Sequence, residues 1–91
     1  MDNMKSVVIN VYGKVHHKGF RFTAMQVAYQ RGIRGFIRNE KDGSIYIEAE
    51  GEDVQLDGFI DWCRRGPVWA KVDEIEVKDG EFKGYSSFDV L

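Results

Sequence analysis

A chain of 91 residues, 43% hydrophobic and 31% charged, is long enough for one hydrophobic core and too short for two. Its net charge of −2 argues against a broad nucleic-acid surface, and the sequence has neither a membrane-spanning apolar run nor a signal peptide. The single cysteine, Cys63, excludes an internal disulfide and suits a reducing compartment, so we expect a cytoplasmic protein.

The first third of the chain predicts a strand followed by a helix. β-Branched residues dominate positions 6–13 and indicate a strand that is buried on at least one face. Apolar residues then recur at helical spacing over residues 22–33, where Gly32 is a suitable C-terminal stop. We therefore expect residues 14–20 to form the loop between the two elements.

Two strands joined by a tight turn follow. Residues 34–39 and 44–51 have strand composition, and Asp42-Gly43 between them has the chemistry of a hairpin turn. Apolar residues alternate with tyrosine and glutamate in the second strand. This alternation predicts one buried face and one face that is wet or partly wet.

The remaining sequence predicts a second helix and two more strands. Asp53 is a suitable N-cap for a helix with an apolar stripe at i, i+3, i+4 and i+7, and a Gly-Pro dipeptide ends it. Residues 70–77 predict a fourth strand whose apolar residues are out of phase, so we expect a bulge near Asp73-Glu74. Residues 85–90 predict a short last strand.

The predicted order of elements is β-α-β-β-α-β with a short extra C-terminal strand. Two similar halves of this kind form an antiparallel sheet with both helices on one face, which is the ferredoxin-like α+β sandwich. Because Met1 opens the chain and the last strand ends at Leu91, we expect a single domain over residues 1–91 rather than part of a larger maturation protein. This fold serves many functions, so function has to be argued from a site.

The distribution of charge points to an anionic ligand. Six basic residues and no acidic residue lie between Val11 and Arg38, although the protein as a whole is acidic. A local positive field in an acidic protein indicates an anion bound at one place. The charge distribution is equally compatible with basic residues that are simply spread over a solvated surface. The chemistry of the loop has to distinguish this interpretation from an anion-binding site.

The loop before the first helix has the features of an anion cradle. Backbone N–H groups and the positive end of the helix dipole meet at such a place. Arg21 stands at the mouth of the helix, where its planar guanidinium can hold a phosphoryl group with two hydrogen bonds. A positive side chain near a helix N-terminus interacts unfavourably with the helix dipole. Its presence there therefore favours a role for Arg21 in binding an anionic ligand. We expect the cradle to be formed by the backbone amides of His16, His17, Lys18, Gly19 and Phe20.

Metal binding is the alternative for the adjacent histidines. Successive residues of an extended chain point to opposite sides, and no cysteine or carboxylate lies nearby in sequence to complete a ligand set. We therefore expect no metal site. Cys63 lies on the apolar stripe of the second helix, which predicts core packing rather than a nucleophile.

Three motifs in register along nearly the whole chain carry a family resemblance. Their residues are Gly13, Val15, Phe20 and Arg21, then Gly35, Asn39, Asp42 and Gly43, then Gly66, Pro67, Ala70 and Val72. They resemble the acylphosphatase signature, which is G-x-V-Q-G-V-x-F-R, then G-x-V-x-N with D-G after it, then G-P-x-x-A-x-V. Ile37 takes the place of the valine in the second motif.

The resemblance implies hydrolysis of acyl phosphates to a carboxylate and inorganic phosphate, without metal or cofactor. It assigns the binding of the phosphoryl group to Arg21 and the loop amides. It assigns the positioning of the attacking water to Asn39. From the sequence alone, Asn39 could instead shape the turn that follows its strand.

The first motif departs from the signature in one place. His16, His17 and Lys18 stand where the family has Q-G-V. A histidine pays a steric cost that glycine does not wherever the backbone needs a positive φ. We therefore expect weaker activity than a standard loop would give.

Two other functions remain open at this point. An altered loop could leave a module that binds phosphate without turnover, and the aromatic motifs are compatible with an RNA-binding domain of similar topology. The expected partners are a small acyl phosphate and phosphate, with no nucleic acid and no membrane. No exposed apolar helix face is evident, so we expect a monomer.

Overall fold

The computed structural model describes residues 3–15 and 18–91. The elements in chain order are β1 (Lys5–Lys14), α1 (Lys18–Arg31), β2 (Arg34–Asn39), β3 (Ile45–Gly51), α2 (Asp53–Arg65), β4 (Lys71–Asp79) and β5 (Phe88–Val90). The strands form one sheet in the order β4-β1-β3-β2-β5. The predicted ferredoxin-like α+β fold is therefore confirmed.

The direction of the last strand corrects the prediction of an antiparallel sheet. β1 pairs antiparallel with β3 and β4, and β2 pairs antiparallel with β3, but β5 pairs parallel to β2. The reason is the path of residues 80–87, which cross the sheet after β4 and bring Phe88 beside Gly35 near the start of β2. The sheet is therefore mixed.

The core lies between the sheet and the two helices. α1 contributes Phe20, Ala24 and Ala28 to it, and these residues are fully buried at i, i+4 and i+8. This stripe begins before Phe22, so the prediction that α1 begins at Phe22 was wrong and Lys18 is its first residue. Cys63 is fully buried on α2, and burial raises the pKa of its thiol, which confirms its prediction as a core residue.

The start of α2 also differs from the prediction, and the predicted bulge in β4 is confirmed. Glu52, not Asp53, is the N-cap of α2, and its backbone N–H donates to Gln55 Oε1 at 2.9 Å. The predicted bulge is present, because Tyr12 pairs with Glu74 and the next residue of β1 pairs with Val72. Asp73 is the extra residue that puts the apolar positions of β4 out of phase.

Residues 80–87, which we call the strap, cover part of the sheet face that the helices leave open. The backbone N–H groups of Lys83 and Tyr85 donate to the two carboxylate oxygens of Glu50 at 2.6 and 2.9 Å. Glu50 is only 1% exposed. The sequence predicts that this face of β3 is wet or partly wet. Instead, the strap buries Glu50 on this face, because backbone N–H groups of the strap satisfy the Glu50 carboxylate.

Glu48 is the second carboxylate under the strap. It accepts hydrogen bonds from the hydroxyls of Tyr85 and Tyr46 at 2.6 and 2.7 Å and from Lys83 Nζ at 3.1 Å. Burial by itself raises the pKa of the Glu48 carboxyl group. The hydrogen bonds from Tyr85, Tyr46 and Lys83 outweigh burial, so the pKa lies below its ordinary value.

This lowered pKa predicts an acid-sensitive contribution to stability. The contribution is fully present above 4.5, the ordinary pKa of the group, and is lost as the pH falls through the lower pKa of the folded state. We expect the free energy of unfolding to fall more steeply below pH 4.5 in the wild type than in Glu48→Gln. Urea titrations at a series of pH values measure this. Glu74→Gln, at an exposed site on β4, is the control, and equal slopes in wild type and Glu48→Gln would contradict the prediction.

Gly35 lies where two strands approach too closely for a side chain. Its φ is +143°, and a Cβ there would overlap the backbone carbonyl oxygen of Glu48 on β3. We expect Gly35→Ala to lower the free energy of unfolding by about 3 kcal/mol or more, measured by urea denaturation. Gly43→Ala is the matched control, because Gly43 also has a positive φ of +88° but no atom within 4 Å of the added Cβ. Its expected cost is about 1 kcal/mol, and equal losses in both variants would refute the steric argument.

Candidate active site

The carboxyl ends of three strands meet at one end of the sheet, which we call the site end. Val11 of β1 and Asn39 of β2 both pair with Ile45 of β3, so β1 and β2 end on the same side. β5 runs parallel to β2 and ends there as well. α1 begins at Lys18, only four positions after β1 ends, and its N-terminus therefore also lies at the site end.

Arg21 is tied to the end of β2 through a backbone group. It is the fourth residue of α1 and is half-buried. Its Nη1 donates to the backbone carbonyl of Leu91 at 2.8 Å, and the Leu91 N–H donates to the carbonyl of Ile37 at 2.9 Å. Ile37 precedes Asn39 by two positions, so this chain of hydrogen bonds brings the Arg21 guanidinium to the strand end that carries Asn39.

Two polar atoms at the site end are buried without a hydrogen-bond partner. Within residues 3–15 and 18–91, Arg21 Nε and Asn39 Oδ1 are the buried side-chain polar atoms that make no hydrogen bond. Buried polar groups in proteins nearly always have partners, so two such atoms on residues drawn together indicate a binding site. Nε is a donor suited to a phosphoryl oxygen, and Oδ1 is an acceptor suited to the O–H of water.

The predicted cradle residues divide into two groups. His16 and His17 lie outside the described residues. Lys18, Gly19 and Phe20 belong to the first turn of α1 rather than to a loop, which corrects the sequence-based expectation. Their backbone N–H groups still have no acceptor one turn earlier in the helix, and the first turn of α1 carries no acidic residue. The ring of Phe20 is fully buried, so only its amide can face an anion.

Arg38 is close in sequence to Asn39 but is committed to other contacts. Its Nε donates to a Glu40 carboxylate oxygen at 2.8 Å, and its guanidinium lies 4.5 Å from the centroid of the Tyr46 ring. It lines a wide depression on the open face of the sheet, whose lining includes Asn39 but not Arg21. Arg21 is therefore the arginine that has a buried and unpartnered donor, Nε, at the site end.

The part of the chain that the structure describes lacks two other kinds of feature. It contains no group of three or more His, Cys, Asp or Glu side chains that could hold a metal ion. None of the helices in residues 3–15 and 18–91 is long and apolar enough to cross a membrane.

Sequence reasoning missed one participant at the site end. The carbonyl of Leu91 fixes the Arg21 guanidinium, yet the two residues lie 70 positions apart. A backbone carbonyl carries no residue-type signal. Only the parallel pairing of β5 with β2, which local patterns do not encode, places it there.

Comparison with known proteins gives consistent matches along the chain. The family model described as Acylphosphatase matches residues 7–90. An acylphosphatase of Archaeoglobus fulgidus is 41% identical over 87 residues, which cover 96% of this chain and 98% of that protein. An acylphosphatase of Oceanobacillus iheyensis is 43% identical over 77 residues, which cover 84% and 85%. The solved structure of an acylphosphatase from Coxiella burnetii superposes with a TM-score of 0.93 at 26% identity, covering 98% of this chain and 94% of that one.

Proposed function

Because the chain belongs to the acylphosphatase family and hydrolyses acyl phosphates, we propose that Arg21 and the amides before it hold the phosphoryl group while Asn39 positions the attacking water. The observation that carries this assignment is the pair of unpartnered buried atoms, Arg21 Nε and Asn39 Oδ1. One is a donor and the other an acceptor, which matches the two roles.

Arg21 acts through charge and fixed geometry. The Leu91 carbonyl occupies Nη1, and Nε remains as a donor for a phosphoryl oxygen. The bond to Leu91 sets the orientation of the guanidinium plane before substrate arrives. Together with the amides of the first turn of α1, the guanidinium stabilises the negative charge spread over the phosphoryl oxygens in the transition state.

Asn39 acts by orienting water rather than by removing its proton. Its Oδ1 accepts one O–H of the water, and the water oxygen attacks phosphorus. The bond between phosphorus and the acyl oxygen breaks, and its electron pair leaves with the carboxylate. The proton of the water passes to an oxygen of the substrate, since an amide cannot take it. A carboxylate is a good leaving group, so the reaction needs no strong general acid.

We propose that the protein works as a monomer in the cytoplasm, with an acyl phosphate and phosphate as its small-molecule partners and no cofactor. A role in RNA binding is not favoured by the open face of the sheet. RNA-binding domains of this topology stack bases on exposed aromatic rings of that face. Here Phe36 lies edge-on to Tyr85 of the strap, at 5.9 Å between ring centroids, and two buried glutamates hold the strap in place.

Hydrolysis of benzoyl phosphate in the presence of a chelator is the first test of this proposal. We expect turnover by the wild type without added metal. Activity that appears only when a divalent metal is restored would show that the phosphoryl group is held by more than Arg21 and backbone amides. The two substitutions that test the residue roles are treated in the Discussion.

A further inference from the structure

The proposed roles of Arg21 and Asn39 fix the side from which the acyl group leaves. In an in-line displacement, the attacking water and the leaving oxygen lie on opposite sides of phosphorus. With the water on the Asn39 side, the acyl group lies away from β2. We take this direction to be toward β1 and β4 rather than toward β5, because the first turn of α1, whose amides hold the phosphoryl group in the proposed function, directly follows β1.

The segment that precedes β4 lies at this edge of the site end. Lys71, the first residue of β4, pairs with Lys14, the last residue of β1. Gly66 lies beside the first turn of α1, since a Cβ on Gly66 would come within 3.3 Å of the Phe20 ring. Residues 66–70 are therefore close to the helix turn whose amides face the phosphoryl group.

Two exposed apolar residues occupy the corner of a tight turn in this segment. The Ala70 N–H donates to the Pro67 carbonyl at 3.0 Å, which places Val68 and Trp69 at the two central positions of the turn. Such positions usually carry Gly, Pro, Asn, Asp or Ser. Val68 is fully exposed, and Trp69 is 53% exposed. Val68 and Trp69 therefore present exposed apolar surface beside the site, and such a surface suits an apolar ligand group.

We propose that the turn Pro67–Ala70 is the acyl-binding wall of the enzyme, and that Val68 and Trp69 select acyl phosphates with an apolar, preferably aromatic, acyl group. This inference rests on the proposed function, because it takes the position of the phosphoryl group from Arg21 and Asn39. The flat indole of Trp69 suits stacking with an aromatic acyl ring, and Val68 extends the apolar surface. The wall acts on the part of the substrate that does not react, so it sets selectivity without taking part in bond breaking.

The test compares two substrates that share the phosphoryl group and differ in the acyl group. For each variant, kcat/KM is measured for benzoyl phosphate and for acetyl phosphate, and the ratio of the two is the readout. We expect Trp69→Ala to lower this ratio about five- to tenfold and Val68→Ser about two- to threefold. Trp69→Phe keeps an aromatic ring, so its ratio should stay close to that of the wild type. Inhibition by inorganic phosphate, which lacks an acyl group, should change less than about twofold in all three.

Exposed apolar residues at the opposite end of the molecule provide the controls. Phe82→Ala matches Trp69→Ala, since Phe82 is 51% exposed and lies with Met4 and Arg34 at the starts of β1 and β2. Val54→Ser matches Val68→Ser, since Val54 is 83% exposed in the first turn of α2. Both controls should leave the ratio unchanged.

Two results would contradict the proposal that the turn Pro67–Ala70 binds the acyl group. One is an unchanged ratio in both Trp69→Ala and Val68→Ser. The other is an equal loss for the two substrates, which would mean that the turn only supports the fold or the phosphoryl cradle. Val68→Ser keeps the test valid if Trp69→Ala does not fold, because Val68 contributes nothing to the core. Failure of the proposed function has a different signature, namely full activity of Arg21→Ala on both substrates.

Discussion

Arg21→Ala is expected to lower kcat/KM for benzoyl phosphate by about 10³-fold or more. The substitution removes the cation that we propose offsets the charge of the phosphoryl oxygens, and it removes the unpartnered buried donor Nε. Inhibition by inorganic phosphate should weaken as well, because in this proposal the same guanidinium binds the phosphoryl group before the reaction begins. Steady-state hydrolysis in chelator measures the first effect, and competition by phosphate measures the second.

The control for this substitution is a second arginine outside the site. Arg34→Ala removes an exposed arginine at the start of β2, at the end of the sheet away from Arg21, and should leave kcat/KM within about twofold. Arg21→Lys should recover little activity, since a lysine ammonium cannot satisfy the Leu91 carbonyl and a phosphoryl oxygen in the same planar geometry. Near-normal turnover by Arg21→Ala would remove Arg21 from the mechanism.

Asn39→Ala is expected to lower kcat by about 10²- to 10³-fold while the affinity for inorganic phosphate stays within about threefold. This split follows from the proposed role of Oδ1, which is to contact the water and not the phosphoryl group. A residue that bound phosphate would lose affinity and turnover together. The measurement is kcat with benzoyl phosphate alongside the inhibition constant of phosphate.

Asn10→Ala is the matched control for Asn39. Asn10 is also a partly buried strand asparagine, but it lies on the open face of the sheet beside Tyr46. Its removal should leave kcat unchanged. If Asn39→Ala kept its kcat, the water-positioning role would be wrong, and Asn39 would be left with the turn-shaping role that its place at the end of β2 also allows.

Local patterns predict the order of elements well because most of them are specified by short stretches. Gly32 has a φ of +73° just after α1, and the bulge at Asp73 follows from apolar residues out of phase. The start of α1 is less visible from local sequence. Its first buried position is Phe20, and the stripe continues through two alanines, which are too small to stand out as core residues.

Long-range features are where the sequence-based prediction fails. The alternation of β3 marks Glu48 and Glu50 as polar, and it does not show that residues 33 to 37 positions later will cover them. The direction of β5 is equally hidden, since it depends on the path of the strap. For the candidate site, the motifs single out Arg21 and Asn39. Their catalytic roles stay predictions until the substitutions are measured.

The hydrogen bond that orients Arg21 depends on the short strand β5, because its acceptor, the Leu91 carbonyl, directly follows that strand. β5 has three residues at the edge of the sheet, and the N–H of Gly35 and the carbonyl of Ile37 hold the chain on either side of it at 2.9 Å. Elements with so few hydrogen bonds open locally at a lower free energy than the whole fold. Opening of β5 would take the Leu91 carbonyl away from Arg21, and it would also expose Phe88, which is 1% exposed in the core. We therefore expect the orientation of the Arg21 guanidinium, and the proposed role that depends on it, to be lost under milder conditions than the fold itself.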